Sequence, residues 1–166
     1  MDIQFNIETG LVLDAMQIAP QKTAEFVRRA LSRGANEVVR EARSNVPKAF
    51  SELTNSIRAK EPPRSAGVLA IEVVVDSDHA AYVERGAGPG GWVPTDTLSD
   101  WIRIKGITPN SADTDEEDLV FMIKHHIYRH GTPAQPYLQP AFDSKESRIN
   151  QLIQQAVQRA LLVSGL

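Results

Sequence analysis

Cysteine is absent from this 166-residue chain. Disulfide staples and thiolate chemistry are therefore excluded, and a metal site would have to be built from histidine and carboxylates. No apolar run approaches the roughly 18 residues that a membrane-spanning helix needs. The opening Met1-Asp2-Ile3-Gln4-Phe5 lacks the basic stretch and apolar core of a secretory leader. There is no Gly-x-Ser-x-Gly elbow to present a serine nucleophile. Basic charge is not in excess either: the net charge is −3, which gives no electrostatic mandate for duplex nucleic acid. Internal repeats and low-complexity linkers are also missing. What remains reads as one domain over residues 1–166, with 42% hydrophobic and 23% charged residues, large enough for a core. A cytoplasmic bacterial product is the plain expectation.

Periodicity supplies the elements. Ile3, Phe5 and Ile7 alternate with polar residues, the pattern of a short strand over Asp2–Glu8. Leu11-Val12-Leu13 is an apolar patch of undecided structure. Pro20 can open a helix, and Ala24, Val27, Leu31, Ala35, Val38 and Ala42 follow at three- and four-residue steps to about Ser44. Phe50, Leu53 and Ile57 share one face of a short helical turn. Arg58–Lys60 and Val68–Val75 read as two strands paired across the Glu61–Gly67 loop. Asp76-Ser77-Asp78 can cap a helical turn, His79–Glu84. Another helix starts near Val93-Pro94-Thr95-Asp96, buries Leu98, Trp101 and Ile102 with Lys105 at their edge, and stops at Gly106. The acidic run Asp113–Asp118 suits the positive end of a helix over Asp115–His130, with Leu119, Met122, Ile123, Ile127 and His130 near one face. Ile149, Leu152, Ile153, Ala156, Val157, Ala160 and Leu161 mark a second long amphipathic helix. The fold class is therefore α+β: two long helices packed on a small, mostly antiparallel β-sheet, with two additional shorter helices.

Three features could carry chemistry or binding. His126 and His130 lie four apart on one helix face, the spacing of a zincin. Ile127 occupies the place of the required glutamate, however, and no third histidine is placed to complete a site. They read as core or interface histidines, and no catalytic residue, metal ligand or cofactor is assigned. Arg28, Arg29, Arg33, Arg40 and Arg43 make one face of the first long helix basic. A solvated face is the plainer reading, with a nucleic-acid patch the alternative. The run Gly86-Ala87-Gly88-Pro89-Gly90-Gly91-Trp92 is a loop, because so much glycine favours positive φ over regular structure. No Gly-Lys-Ser/Thr follows it, so a phosphate cradle is not supported. A mobile, partner-shaped loop with Trp92 as its anchor is the better reading.

The second candidate interface is a corner. Gly131 stops the histidine helix, Pro133 and Pro136 forbid its continuation, and Tyr137, Leu138 and Phe142 restart an apolar pattern expected to be buried. Here a resemblance appears. Arg129-His130-Gly131-Thr132-Pro133-Ala134-Gln135-Pro136-Tyr137-Leu138-Gln139-Pro140-Ala141-Phe142 resembles a segment of the phage tail-component family typified by gene product ten of phage HK-ninety-seven. That family in turn resembles the tail-completion protein Z of lambda. Ala81-Tyr82-Val83-Glu84-Arg85-Gly86 is similar to a second family motif, with Ala87 where threonine is usual. Ser51-Glu52-Leu53-Thr54-Asn55-Ser56-Ile57 is similar to a third, with Ser51-Glu52 in place of Thr-Gly. The three occur in family order.

The resemblance implies a structural virion protein, not an enzyme, that completes the tail or forms part of the neck at the head–tail junction. It implies synthesis in the host cytoplasm and assembly as a six-fold homo-oligomeric ring. Neighbours would be tail-terminator, tail-tube or head–tail connector proteins, with genomic DNA passing through the ring. The interface would include Gly86, Gly88, Pro89, Gly90, Gly91, Trp92, Pro133, Pro136 and Tyr137. Two other readings stay open: a nucleic-acid-binding accessory protein using the arginine face, and a His-dependent metal hydrolase.

Overall fold

Pro20 decides where the first long helix begins. Its ring removes an N–H that the first helical turn leaves unpaired anyway, and it pushes Ala19 out of the helical region to φ −138°, ψ 67°. The computed structural model describes residues 10–47, 51–63, 69–91, 93–109, 111 and 114–165. The strand expected over residues 2–8 lies outside them, as do Phe50, Val68 and Trp92. Before the Pro20 break, α1 (Gly10–Ile18) takes up the apolar patch around Val12. After it, α2 (Pro20–Asn45) runs for 26 residues. The buried Thr23 hydroxyl donates to the Ala15 carbonyl at 3.1 Å and ties the two helices together.

The chain divides into two compact units. The first comprises Met1–Val46, Glu52–Ser77 and Tyr137–Leu166. Its frame is α2 packed against α7 (Leu138–Val163), also 26 residues long. Pro140 is tolerated within the first turn of α7, where backbone N–H groups have no intrahelical partner. The α7 pattern read from the sequence holds up to its last position: Ile149, Leu152, Ile153, Ala156, Val157 and Ala160 are buried, while Leu161 is only half-buried. Tyr137, Leu138 and Phe142 are buried as well. On α2, Val27, Ala35, Val38 and Ala42 are buried as expected, while Ala24 and Leu31 are only half-buried. Thr23, Ala30, Gly34 and Val39 join the buried stripe instead. Small residues displace large ones because the helices approach closely. A Cβ added at Gly34 would sit 2.8 Å from Ile149 Cγ1. Ion pairs flank this seam, Lys145 to Glu41 at 2.9 Å and Arg148 to Glu37 at 3.8 Å.

A two-stranded antiparallel sheet completes this unit. β1 (Ile57–Lys60) pairs with β2 (Glu72–Val75) in the register Ile57↔Val75 to Lys60↔Glu72, following the short helix α3 (Ser51–Ser56). Both strands lie against α2, and Arg43 fixes them there by donating to the Ile57 carbonyl from Nε and Nη2, at 3.2 and 2.7 Å. The expected arrangement is thus corrected in one respect: the long helices pack chiefly on each other, with the sheet against α2. A sheet of four-residue strands is too small to support two long helices.

The second unit comprises Pro47–Ser51 and Asp78–Pro136. It contains α4 (Ala80–Arg85), α5 (Thr95–Lys105) and α6 (Glu116–His130). No side chain caps α4, whose N-terminal neighbour is His79, and Asp76 pairs with Arg58 at 2.7 Å instead. Leu98, Ile102 and Val120 form the core, with Val93, Trp101, Ile107, Leu119, Ile123 and Ile127 packed around them. Lys105, expected at the edge of this face, is exposed, as are Met122 and His130. α5 ends at left-handed Gly106, where Ile107 N–H bonds Ile102 O and Gly106 N–H bonds Arg103 O, a Schellman stop. α6 begins with a capping box in which Asp115 accepts from Asp118 N–H at 2.9 Å. Asp115–Asp118 of the acidic run thus sit at the positive end of the helix. The two helices expected beside the long pair are α5 and α6; α3 and α4 are the short helical turns also expected, and α1 is the addition, too short for a clear period.

Candidate interaction surface

The glycine loop and the proline corner are parts of one structure. α6 ends at Gly131, with φ 75° and ψ −163°. α4 ends at Gly86, with φ 74° and ψ 179°. Both conformations are essentially restricted to glycine. Between the two returning segments Ala87 and Thr132 form an antiparallel bridge. Ala87 N–H donates to Thr132 O at 3.0 Å, and Thr132 N–H donates to Ala87 O at 2.8 Å. Gln135 N–H reaches Val83 O, and Gly90 N–H reaches Tyr128 O, each at 2.8 Å. Space demands glycine here as much as φ does. A Cβ on Gly131 would lie 2.0 Å from Ala87 O, and one on Gly86 would lie 2.6 Å from Thr132 O.

The loop expected to be mobile is therefore tied by backbone hydrogen bonds at Ala87 and Gly90. Composition alone hides this, because the partners lie some forty residues away and carry no side-chain signature. Gly88, Pro89, Gly90 and Gly91 remain exposed beyond the bridge, as do Pro133 and Pro136 on the other segment. Added side chains at Gly88 or Gly91 would meet nothing within 4 Å. Tyr137, by contrast, is 1% exposed and belongs to the first unit, where Asn45 Nδ2 donates to its carbonyl at 3.3 Å. Trp92, the expected anchor, lies outside the described residues. Glu84, next to the bridge in sequence, is 5% exposed and is not without a partner, which suits a structural part.

The other candidates separate clearly. His125, His126 and His130 are exposed on α6, and the His126 and His130 rings are 4.5 Å apart. Among the described residues no three of His, Asp and Glu gather into a ligand set. The arginine face of α2 is largely neutralised. Arg28 pairs with Glu61 at 2.9 Å, Arg29 with Glu25 at 2.6 Å, and Arg33 with Glu37 at 3.3 Å, while Arg43 is committed to Ile57 O. Phosphate binding would have to break these pairs, which leaves Arg40 and Arg43 as the arginines of this face without an ion pair among the described residues.

Sequence reasoning overlooked a further feature, the outward side of α6. Phe121, Met122 and Tyr128 are 63%, 51% and 47% exposed there. The signal was present as a second apolar stripe, but the stripe facing α5 masked it.

Residues 12–86 match the family described as "Bacteriophage HK97-gp10, putative tail-component". This is the family whose motifs the sequence resembles. The matched stretch runs from α1 to Gly86 and contains the Ser51–Ile57 and Ala81–Gly86 motifs; the corner at 129–142 lies beyond it. No curated protein and no solved structure matches the chain.

Proposed function

From the match of residues 12–86 to a phage tail-component family, we propose that this chain is a structural protein of a tailed phage or prophage virion. It acts by assembly rather than catalysis, as one domain-like subunit of a tail-completion or neck ring of six-fold symmetry at the head–tail junction. Tail-terminator, tail-tube or connector proteins are its neighbours, and genomic DNA passes through the ring. The chain is made in the host cytoplasm and ends up in the virion; no helix among the described residues is long and apolar enough to cross a membrane.

One observation supports this reading most: the Ala87–Thr132 bridge, closed by two glycines, presents Gly88–Gly91 as a shaped, exposed edge beside the end of α6, with exposed Pro133 next to Gly86 on the other side of the bridge. Such an edge offers backbone donors and proline faces to a neighbour without a large ordering cost. Tyr137 fastens the far end of the corner and is not itself a contact. The neutralised arginine face weighs against a nucleic-acid accessory role. The scattered histidines and carboxylates weigh against a metal hydrolase.

Gly88→Glu and Gly91→Glu test the proposal. Both positions open onto free space, so the melting temperature should stay near that of the unmodified chain. Ring formation, seen by negative-stain microscopy, and incorporation into virions should be lost. Variants that still assemble and complement a deletion would refute the docking edge.

A further inference from the structure

α6 is apolar on two sides. Leu119, Val120, Ile123 and Ile127 face the core shared with α5. On the opposite side stand the exposed Phe121, Met122 and Tyr128, with exposed His125 among them and stacked on Phe121 at 6.0 Å. At the helical step of about 100° per residue, Asp118, Phe121, Met122, His125, Tyr128 and Arg129 fall within an arc of about 120°. Their three- and four-residue spacing is that of a helix-pairing seam rather than of a solvated face.

The charges at its ends select the occupant. Asp118 stands at one end and Arg129 at the other, about 16 Å away along the axis. Among the described residues the Asp118 carboxylate accepts only from the backbone N–H of Asp115, at 3.4 Å, and Arg129 makes no ion pair. A seam with opposite charges at its ends is complementary to a reversed copy of itself. A parallel copy would set like charges against each other.

We propose that two copies of this chain pair through α6, antiparallel, about a two-fold axis near Ile123 and Lys124. Asp118 then lies opposite the partner's Arg129, and Met122 lies opposite the partner's His125. Phe121 and Tyr128 of both copies close the other flank. The contact is isologous and does not rest on the ring reading. One helix face is small beside a standard interface, so the pair is weak and concentration-dependent, with the aromatic seam supplying affinity and the end charges supplying orientation.

Sedimentation of the full chain over a range of concentrations tests this, with Asp118→Arg and Arg129→Glu as charge reversals and Phe121→Glu as a seam break. The unmodified chain should show a concentration-dependent doubling of mass, from monomer to dimer or from ring to paired rings. Phe121→Glu should remove it, and each reversal should weaken it by about tenfold or more, because both ends of a two-fold contact become repulsive. Mixing the two reversed variants should restore association, since every opposed pair is attractive again. Arg129→Glu leaves the α6 capping box intact, so its result stands even if Asp118→Arg frays the helix. Reversed variants that associate like the unmodified chain, a mixture that stays dissociated, or an unmodified chain that shows no such doubling would each overturn the proposal.

Discussion

Gly86 and Gly131 hold the same backbone conformation on opposite sides of the Ala87–Thr132 bridge, with φ 74° and 75°. Each sits against the other's chain segment, Gly131 against Ala87 O and Gly86 against Thr132 O. The end of α4 and the end of α6 are thereby locked together by two residues that have no side chain. The chain reverses twice within a few residues, and only the absence of Cβ lets the two backbones come within hydrogen-bonding distance.

Gly131→Ala should therefore be among the most damaging single-methyl additions to this chain. The positive φ alone costs about 1–3 kcal/mol, and the methyl would also have to displace a carbonyl oxygen. Gly88→Ala, in open space, should change stability by less than about 0.5 kcal/mol. Urea melts of the two variants make the comparison. Equal midpoints would mean that the bridge contributes nothing to the fold.

The α2–α7 seam gives a paired expectation. Gly34→Ala places a methyl against Ile149 and should destabilise by about 1–3 kcal/mol through overpacking. Ile149→Ala alone should cost about 2–5 kcal/mol as a cavity. Combined, the two should cost clearly less than their sum, because the added methyl fills part of the space left by the isoleucine. A double-mutant cycle measures the difference; strict additivity would show that the residues do not share a contact.

The α6 histidines are expected to be dispensable. Replacing His126 and His130 together with Gln should leave the melting temperature and assembly at neutral pH unchanged, since both side chains are exposed and lie off the Asp118–Arg129 arc. Calorimetric zinc titration supplies the second readout. One tightly bound ion per chain, lost in the double variant, would return the metal reading to consideration.

Much of the helical frame was legible. Apolar residues recur along α7 at helical spacing, and they are the ones the fold buries. Gly106 and Asp115 announced a helix stop and a helix start through local chemistry that does not depend on distant residues. What could not be read depends on separation along the chain. Gly34 looks like a flaw in α2 until Ile149 is opposite it, and Ala30 looks like filler until the helices are known to be close. The glycine loop suffered the same way. Its order comes from carbonyls of Tyr128 and Thr132, and a backbone hydrogen bond leaves no mark on residue type. The outward stripe of α6 was visible as Phe121 and Tyr128, but period alone cannot tell a face that waits for a partner from one already buried.

The pairing of α2 with α7 also sets an order of events during synthesis. The buried stripe of α2 is finished by Ala42, whereas Ile149, its closest counterpart, emerges about a hundred residues later. At about 5–20 residues per second, the nascent chain carries that stripe uncovered for roughly 5–20 s. During this interval Val27, Val38 and Val39 form an adhesive strip on a growing polypeptide, open to chaperones and to neighbouring chains on the same message. A chain stopped at Pro136 should accordingly be cut by protease within α2, and one extended through α7 should resist. Identical digestion of the two would mean that α2 finds shelter before its long partner arrives.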